Sequence, residues 1–190
     1  EMLAELRSYG IEPYLTLFHF ACPKWLALKG GWLWSQAPLA FADFAERLAV
    51  VTDGEVRHYL TVNEPEVYAL MAYVLGEFPP HRRRRIDQGF QVLRSLRRGH
   101  ALAYARIKAR QPQAQIVIAK HCKRYLPCRA WHPADQGMAF LARTLFDRWA
   151  LSRFLRCDGR SVCDFVGVNY YGRMGCRGLG GAPLTGDDAT

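Results

Sequence analysis

Short apolar runs rich in β-branched and aromatic residues alternate along the chain with longer stretches whose apolar positions recur every three or four residues. Pro13 to Phe20 (PYLTLFHF) is expected to be a buried strand. Leu39 to Val51 reads as a helix, with Leu39, Phe41, Phe44, Ala45, Leu48 and Ala49 on one apolar face. Val56 to Val62 (VRHYLTV) is a second strand, and a loop with a short helix carries Glu66 to Pro80. A long helix from about Asp87 to Arg110 stops before Pro112, which disfavours helical geometry in the residue ahead of it. Gln115 to Lys120 (QIVIAK) is a third strand, residues from about Pro133 to Leu155 another helix, and Phe165 to Tyr170 (FVGVNY) a fourth strand.

Strand and helix in alternation imply an α/β fold with parallel strands and crossover helices. The open doubly wound sheet and the closed (β/α)₈ barrel both have this order. No strand leads into a glycine-rich phosphate loop, which weakens the nucleotide-binding reading. Polar residues gather at the C-terminal ends of the strands instead: His19, then Asn63 and Glu64, then Asn169. In a barrel that rim carries the chemistry. A full barrel takes about 250 residues and eight strands, and only about four β/α units fit here. The opening half-unit and the glycine-rich tail from Gly172 both read as cut, so residues 1–190 are expected to be a single-domain barrel fragment.

The formal charge of +9 is carried mostly by arginine, and its densest run is HRRRR, from His81 to Arg85. No aromatic residues are interleaved with that run, as base stacking requires, so it reads as a solvated loop and helix start, with no nucleic-acid partner. No apolar run approaches the roughly 20 residues that cross a bilayer, so no membrane partner is expected either. The six cysteines (Cys22, Cys122, Cys128, Cys157, Cys163 and Cys176) form no C-x-x-C pair and fit no zinc spacing. They read as reduced thiols of a cytoplasmic protein, with Cys22 a small packing residue. Oligomeric state is not legible.

Thr61 to Pro65 reads TVNEP. A carboxylate at a strand end, with an amide before it and a proline after it, suits glycoside hydrolysis. The acid that protonates a leaving oxygen needs a fixed direction, and the Asn amide can both donate to and accept from a sugar hydroxyl. Alone, N-E-P reads first as a turn with a helix N-cap. Its surroundings resemble glycoside hydrolase family 1. GIEPYLTLFHFACPKWL is similar to that family's third-strand segment, followed in place by Gly30 to Trp32 (GGW). DGEVRHYLTVNEP looks like the approach to the acid/base strand, YVLGEFPP (Tyr73 to Pro80) like the loop after it, and DFVGVNYYG (Asp164 to Gly172) like the sixth strand. The matches are in order and cover nearly the whole chain.

The resemblance implies a (β/α)₈ barrel of which about strands 3 to 6 are present. It also implies a retaining β-glycosidase acting on terminal β-D-glycosides, above all β-glucosides. The partner is a small-molecule β-glycoside or oligosaccharide, and no metal or organic cofactor is needed. By position, Glu64 is the catalytic acid/base. Asn63 would bond the sugar 2-hydroxyl, and His19 the hydroxyls of the glycone, while Asn169 would line that subsite. Tyr171 would steady the nucleophile, with Asn169 and Tyr171 presenting from the end of the fourth strand. Phe20 stands where the family has Trp, which keeps stacking and loses the indole N–H. The family's first-strand Gln, its seventh-strand T-E-N-G nucleophile and its eighth-strand Glu and Trp are not in this sequence, so these residues alone are expected to be inactive. Read without the resemblance, His19 is a core histidine, Tyr171 a packing aromatic, and Trp25, Trp32 and Trp34 loop and core packing. Two other functions fit: another retaining glycosidase of the same barrel superfamily, and a non-catalytic sugar-binding relative.

Overall fold

The structure, a computed structural model, describes residues 2–144 and 150–178. In chain order the elements are α1 (Met2–Ser8), β1 (Tyr14–Phe18), α2 (Lys24–Leu28), a 3₁₀ turn (Gly31–Leu33), α3 (Ala37–Val51), β2 (His58–Asn63), α4 (Pro65–Ala69), a π-helical turn (Leu70–Leu75) and α5 (Ile86–Arg110). There follow β3 (Gln115–Pro127), α6 (Pro133–Ala142), α7 (Ala150–Leu155), β4 (Arg156–Cys157), β5 (Arg160–Ser161) and β6 (Phe165–Cys176). One sheet has the order β1-β2-β3-β6. β1 pairs with β2 in parallel, from Tyr14 opposite His58 to Phe18 opposite Val62. β2 pairs with β3 in parallel, ending with Asn63 opposite Ala119, and its register slips between Leu60 and Val62. No described helix is long and apolar enough to cross a membrane.

The described residues fall into two compact units, Glu1–Ala119 with Phe154–Gly167 and Lys120–Arg153 with Val168–Thr190. In the first, α3 and α5 cover one face of the sheet. The buried side of α3 is made of small residues, Ala37, Ala42, Ala45 and Ala49, and it meets Val92, Leu96, Ala103 and Ile107 of α5. Small side chains let the two helices approach closely. Gly99 takes the same logic further: a Cβ there would lie 3.1 Å from the Trp32 ring and 3.3 Å from Phe41. A polar seam runs through this core. Tyr59 Oη lies 2.7 Å from Thr52 Oγ1 and donates to Gln111 Oε1 at 3.1 Å, while Gln111 Nε2 donates to the Ala49 carbonyl at 2.7 Å. At the surface, Arg106 and Arg110 of α5 pair with Asp43 and Glu46 of α3.

Several expectations change. β1 is not buried: Tyr14 and Thr16 are exposed and only Phe18 is fully enclosed, because β1 ends the sheet and has one neighbouring strand among the described residues. Phe44 leaves the apolar face of α3 and is 47% exposed, since the helix turns its alanine stripe inward instead. The helix expected over Pro133 to Leu155 is α6 and α7, and residues 145–149 between them lie outside the described residues, as does the tail beyond residue 178. Before β6 comes a two-stranded hairpin, β4–β5, turned by Asp158 (φ 49°) and Gly159 (φ 78°). Asp-Gly with both residues at positive φ is the signature of a tight hairpin turn, and it stood legible in the sequence.

In the second unit Tyr125, Ala139 and Cys176 make a small core with Met174 and Ala142. Asp135, fully buried, organises its edge. It accepts two bonds from the Arg129 guanidinium at 2.9 and 3.0 Å, one from the Arg129 backbone N–H at 3.0 Å and one from Gly178 N–H at 2.7 Å. Those donors, Arg129 first, hold its carboxyl well below the usual carboxylate range.

Candidate active site

Glu64 leaves the end of β2 with φ 41° and ψ 61°, a left-handed backbone in a residue other than glycine. Such a conformation costs about 1–3 kcal/mol and persists only where its surroundings over-determine it. Three features do so here. Pro65, at the first position of α4, disfavours right-handed helical geometry in the residue before it. The Glu64 N–H donates to the Ala119 carbonyl of β3 at 2.8 Å. Its own carbonyl accepts from the N–H groups of Val67 and Tyr68 at 3.0 and 3.1 Å, making it the cap of α4. The kink turns the chain sharply between strand and helix, with Glu64 3% exposed and Asn63 5% exposed. Glu66, a second buried carboxylate two residues on, sits in the first turn of α4, where the helix dipole favours negative charge.

His19 and Phe20 follow β1. His19 is exposed rather than a core histidine, with its ring edge-on to Phe20 at 4.9 Å between centroids. Phe20 is itself left-handed (φ 66°), which swings its ring parallel to Tyr68 (6.3 Å, 7°) and against Phe78 (5.3 Å). His19 and Phe20 line a cavity of about 600 Å³ together with Cys22, Tyr68, Tyr73 and Phe78 among others. Asn63 and Glu64 are not among its lining residues. Cys22 is therefore a wall of this cavity, with its Sγ 4.0 Å from Tyr68 Oη. Trp32 is core, packed on Phe18 and Phe41, whereas Trp25 is half exposed and stands perpendicular to Trp34 with the Lys29 ammonium over both rings.

Tyr68, Tyr73 and Phe78 were missed in the sequence, and the reason is geometric. They are spaced five apart, which fits neither a strand nor an α-helix. The π-helical turn at Leu70–Leu75 widens the helix and brings Tyr68 and Tyr73 edge to face at 6.1 Å.

Asn169 and Tyr171 lie in the second unit. They do not end a strand, because β6 continues to Cys176. Asn169 is half-buried and Tyr171 is 55% exposed, with its ring stacked on His121 at 4.6 Å and 24°. The in-and-out alternation expected of a strand breaks at Tyr170 and Tyr171, which are both exposed, just before Gly172 at φ 86°.

A buried glutamate at the end of a parallel strand, forced out of line by its own proline, is a geometry that relatives can identify. The profile of Glycosyl hydrolase family 1 matches residues 1–160. The chain belongs to Glycosyl hydrolase family 1. Among curated members, it is 28% identical over 94% of its length to "Beta-glucosidase-like SFR2, chloroplastic" of Oryza sativa subsp. japonica, covering 28% of that protein. It is 31% identical over 87% of its length to a 6-phospho-beta-galactosidase of Lacticaseibacillus casei, covering 33% of it. Among solved structures, a beta-glycosidase from Pyrococcus horikoshii superposes with a TM-score of 0.81 at 29% identity, over 92% of this chain and 42% of the other. The chain thus spans about a third of the length of these curated family 1 relatives, and its fold is part of a (β/α)₈ barrel.

Proposed function

We propose that these residues belong to a retaining β-glycosidase that hydrolyses terminal β-D-glycosides, above all β-glucosides, with Glu64 as its acid/base. The observation that carries the reading is the buried, left-handed Glu64 at the end of β2 in a chain of this family. In the first step a glutamate from beyond these 190 residues attacks the anomeric carbon. Glu64 gives its proton to the departing oxygen as the glycosidic bond breaks. In the second, Glu64 takes a proton from water, whose oxygen displaces the enzyme carboxylate and leaves the anomeric configuration as it began. Retention asks for the two carboxyls about 5 Å apart. Asn63 would hold the 2-hydroxyl, a bond that tightens as the ring gains oxocarbenium character. His19, Phe20 and Asn169 would line the glycone subsite, and Tyr171 would steady the nucleophile.

Because the nucleophile is elsewhere, we propose that the 190 residues alone are inactive. We also propose a cytoplasmic protein, a reading that the six free thiols support. The test is Glu64→Gln in the full-length protein, assayed with two β-glucosides. For an alkyl glucoside, whose leaving group needs the proton, the rate should fall about 10²–10⁴-fold. For a dinitrophenyl glucoside, whose leaving group needs none, glycosylation should be largely spared. Equal losses on both substrates, or none on either, would remove Glu64 from the acid/base role.

A further inference from the structure

At Thr61 the two ladders of β2 disagree. Against β1 the strand keeps step, with Leu60 opposite Thr16 and Val62 opposite Phe18. Against β3 it does not: Leu60 is opposite Val117 and Val62 already opposite Ile118, so β2 uses one residue more than β3. A bulge of this kind bends its strand and re-aims the side chains that follow. Here it brings Asn63 opposite Ala119 and puts the Glu64 N–H on the Ala119 carbonyl at 2.8 Å. With no slip, each would fall one residue further along β3. A side chain holds the slip in place. Thr61 is wholly buried, and its hydroxyl donates to the Val117 carbonyl at 3.2 Å, on the β3 residue where the count is lost, while lying 2.6 Å from His100 Nδ1 of α5. His100 is wholly buried too, and it is bonded as well to the backbone of Val162 and Phe154. One hydroxyl therefore ties β2 to β3 and to the helix layer at the point where the register changes. Valine has nearly the same shape and would fill the space, but apolar contact is non-directional, whereas a hydrogen bond fixes a position.

We infer that Thr61 and His100 are positioning residues for Glu64: their bond pins the slip in β2, and the slip sets the place and direction in which Glu64 leaves the strand. The role rests on Glu64 being the acid/base. Both side chains are wholly buried, so they act on the carboxylate through the backbone of Val62 and Asn63 and not by touching substrate. Glu64 is the residue most sensitive to a loosened anchor. Its left-handed backbone persists only while its surroundings over-determine it, and its N–H bond to Ala119 belongs to the slipped register. An acid that delivers its proton along one line loses rate on small displacements, and a misplacement of about 1 Å costs up to about 10²-fold.

The test is kcat/KM of the full-length protein on an alkyl and a dinitrophenyl β-glucoside. Thr61→Val keeps the branched shape and removes the hydroxyl. It should lose about 10- to 100-fold on the alkyl glucoside, and the loss on the dinitrophenyl glucoside, which needs no proton, should be at least about tenfold smaller. Thr61→Ser, which keeps the hydroxyl, should restore most of the difference. His100→Phe should reproduce the loss from the other side of the bond, and the double variant should lose no more than the worse single one, because both break one interaction. The two single variants probe the same bond, so one that fails to fold leaves the other to decide. Equal losses on the two substrates would make the pair a fold element only. No loss, Thr61→Ser as impaired as Thr61→Val, or losses that multiply in the double variant would also overturn the role. Glu64→Gln in the same assay separates the two readings. If it discriminates between the glucosides and Thr61→Val does not, the positioning role alone falls; if it does not discriminate, both fall.

Discussion

His100 is the residue whose burial has the clearest consequence. It projects from α5 into the core, fully enclosed, with Nδ1 2.6 Å from Thr61 Oγ1 and its ring tilted against Phe154. Burial pushes its pKa down to about 4 from an ordinary value of about 6.5. The unfolded chain therefore binds a proton between these two values that the folded chain refuses. Stability from this group is fully present above about pH 6.5 and is lost as pH falls toward 4, by roughly 3 kcal/mol in all. Denaturant midpoints of the full-length protein should thus drop between pH 7 and 4.5, and His100→Gln should flatten that drop. A parent and variant with the same acid slope would place the acid sensitivity elsewhere. At this scale the sequence was legible where the cause is local. Asn63, Glu64 and Pro65 are neighbours, and the proline alone disfavours right-handed helix at Glu64. His100 meeting Thr61, or Cys22 meeting Tyr68, depends on chain segments some 40 residues apart, and no spacing rule reports such meetings.

At the scale of elements, the period of apolar positions revealed α3, α5 and the strands because each has one face turned to a core. It failed where the face was not what the period assumes. Among the described residues β1 has a neighbouring strand on one side only, so most of its apolar residues are left partly or fully uncovered. The inner face of α3 is alanine, a residue too small to stand out against Phe44, which was placed inside and lies outside. The π-helical turn leaves no mark in the sequence at all, yet it shapes the cavity. The close packing that alanine permits also makes a sharp prediction at Gly99. A methyl group there would meet Trp32 at 3.1 Å and Phe41 at 3.3 Å, two rings already packed against each other and unable to yield separately. Gly99→Ala raises helix propensity by about 1 kcal/mol, so packing and propensity oppose each other. Overpacking costs typically 1–3 kcal/mol, and it should win. The full-length protein should therefore unfold at lower denaturant, and Gly99→Ala combined with Phe41→Leu should recover part of the loss. A Gly99→Ala protein more stable than its parent would show that the rings can move.

At the scale of the whole molecule, the question is what these 190 residues do when produced alone. The first unit has a sheet, two packed helices and a polar seam. It also ends in β1, a strand with no further strand beside it among the described residues. An open parallel edge presents unpaired N–H and C=O groups to any other chain, and natural proteins cover or charge such edges. The strand itself is short and uncharged, with Glu12 just ahead of it paired to His58, and apolar side chains beside it are exposed: Tyr9, Ile11 and Tyr14 are 75%, 51% and 60% exposed. Tyr14 stacks on His58 at 4.2 Å, which draws the aromatic surface across two strands. Exposed apolar surface of this kind drives association. The formal charge of +9 opposes it through long-range repulsion that about 0.15 M salt confines to roughly 8 Å. We therefore expect the isolated chain to be monomeric only at low salt and low concentration. Raising either should move it to larger species in light scattering behind size-exclusion chromatography. Tyr14→Lys, which charges the edge and removes the stacked ring, should shift the balance back toward monomer. A parent chain that stays monomeric at 0.15 M salt and melts cooperatively would show that the edge is covered by something other than a strand.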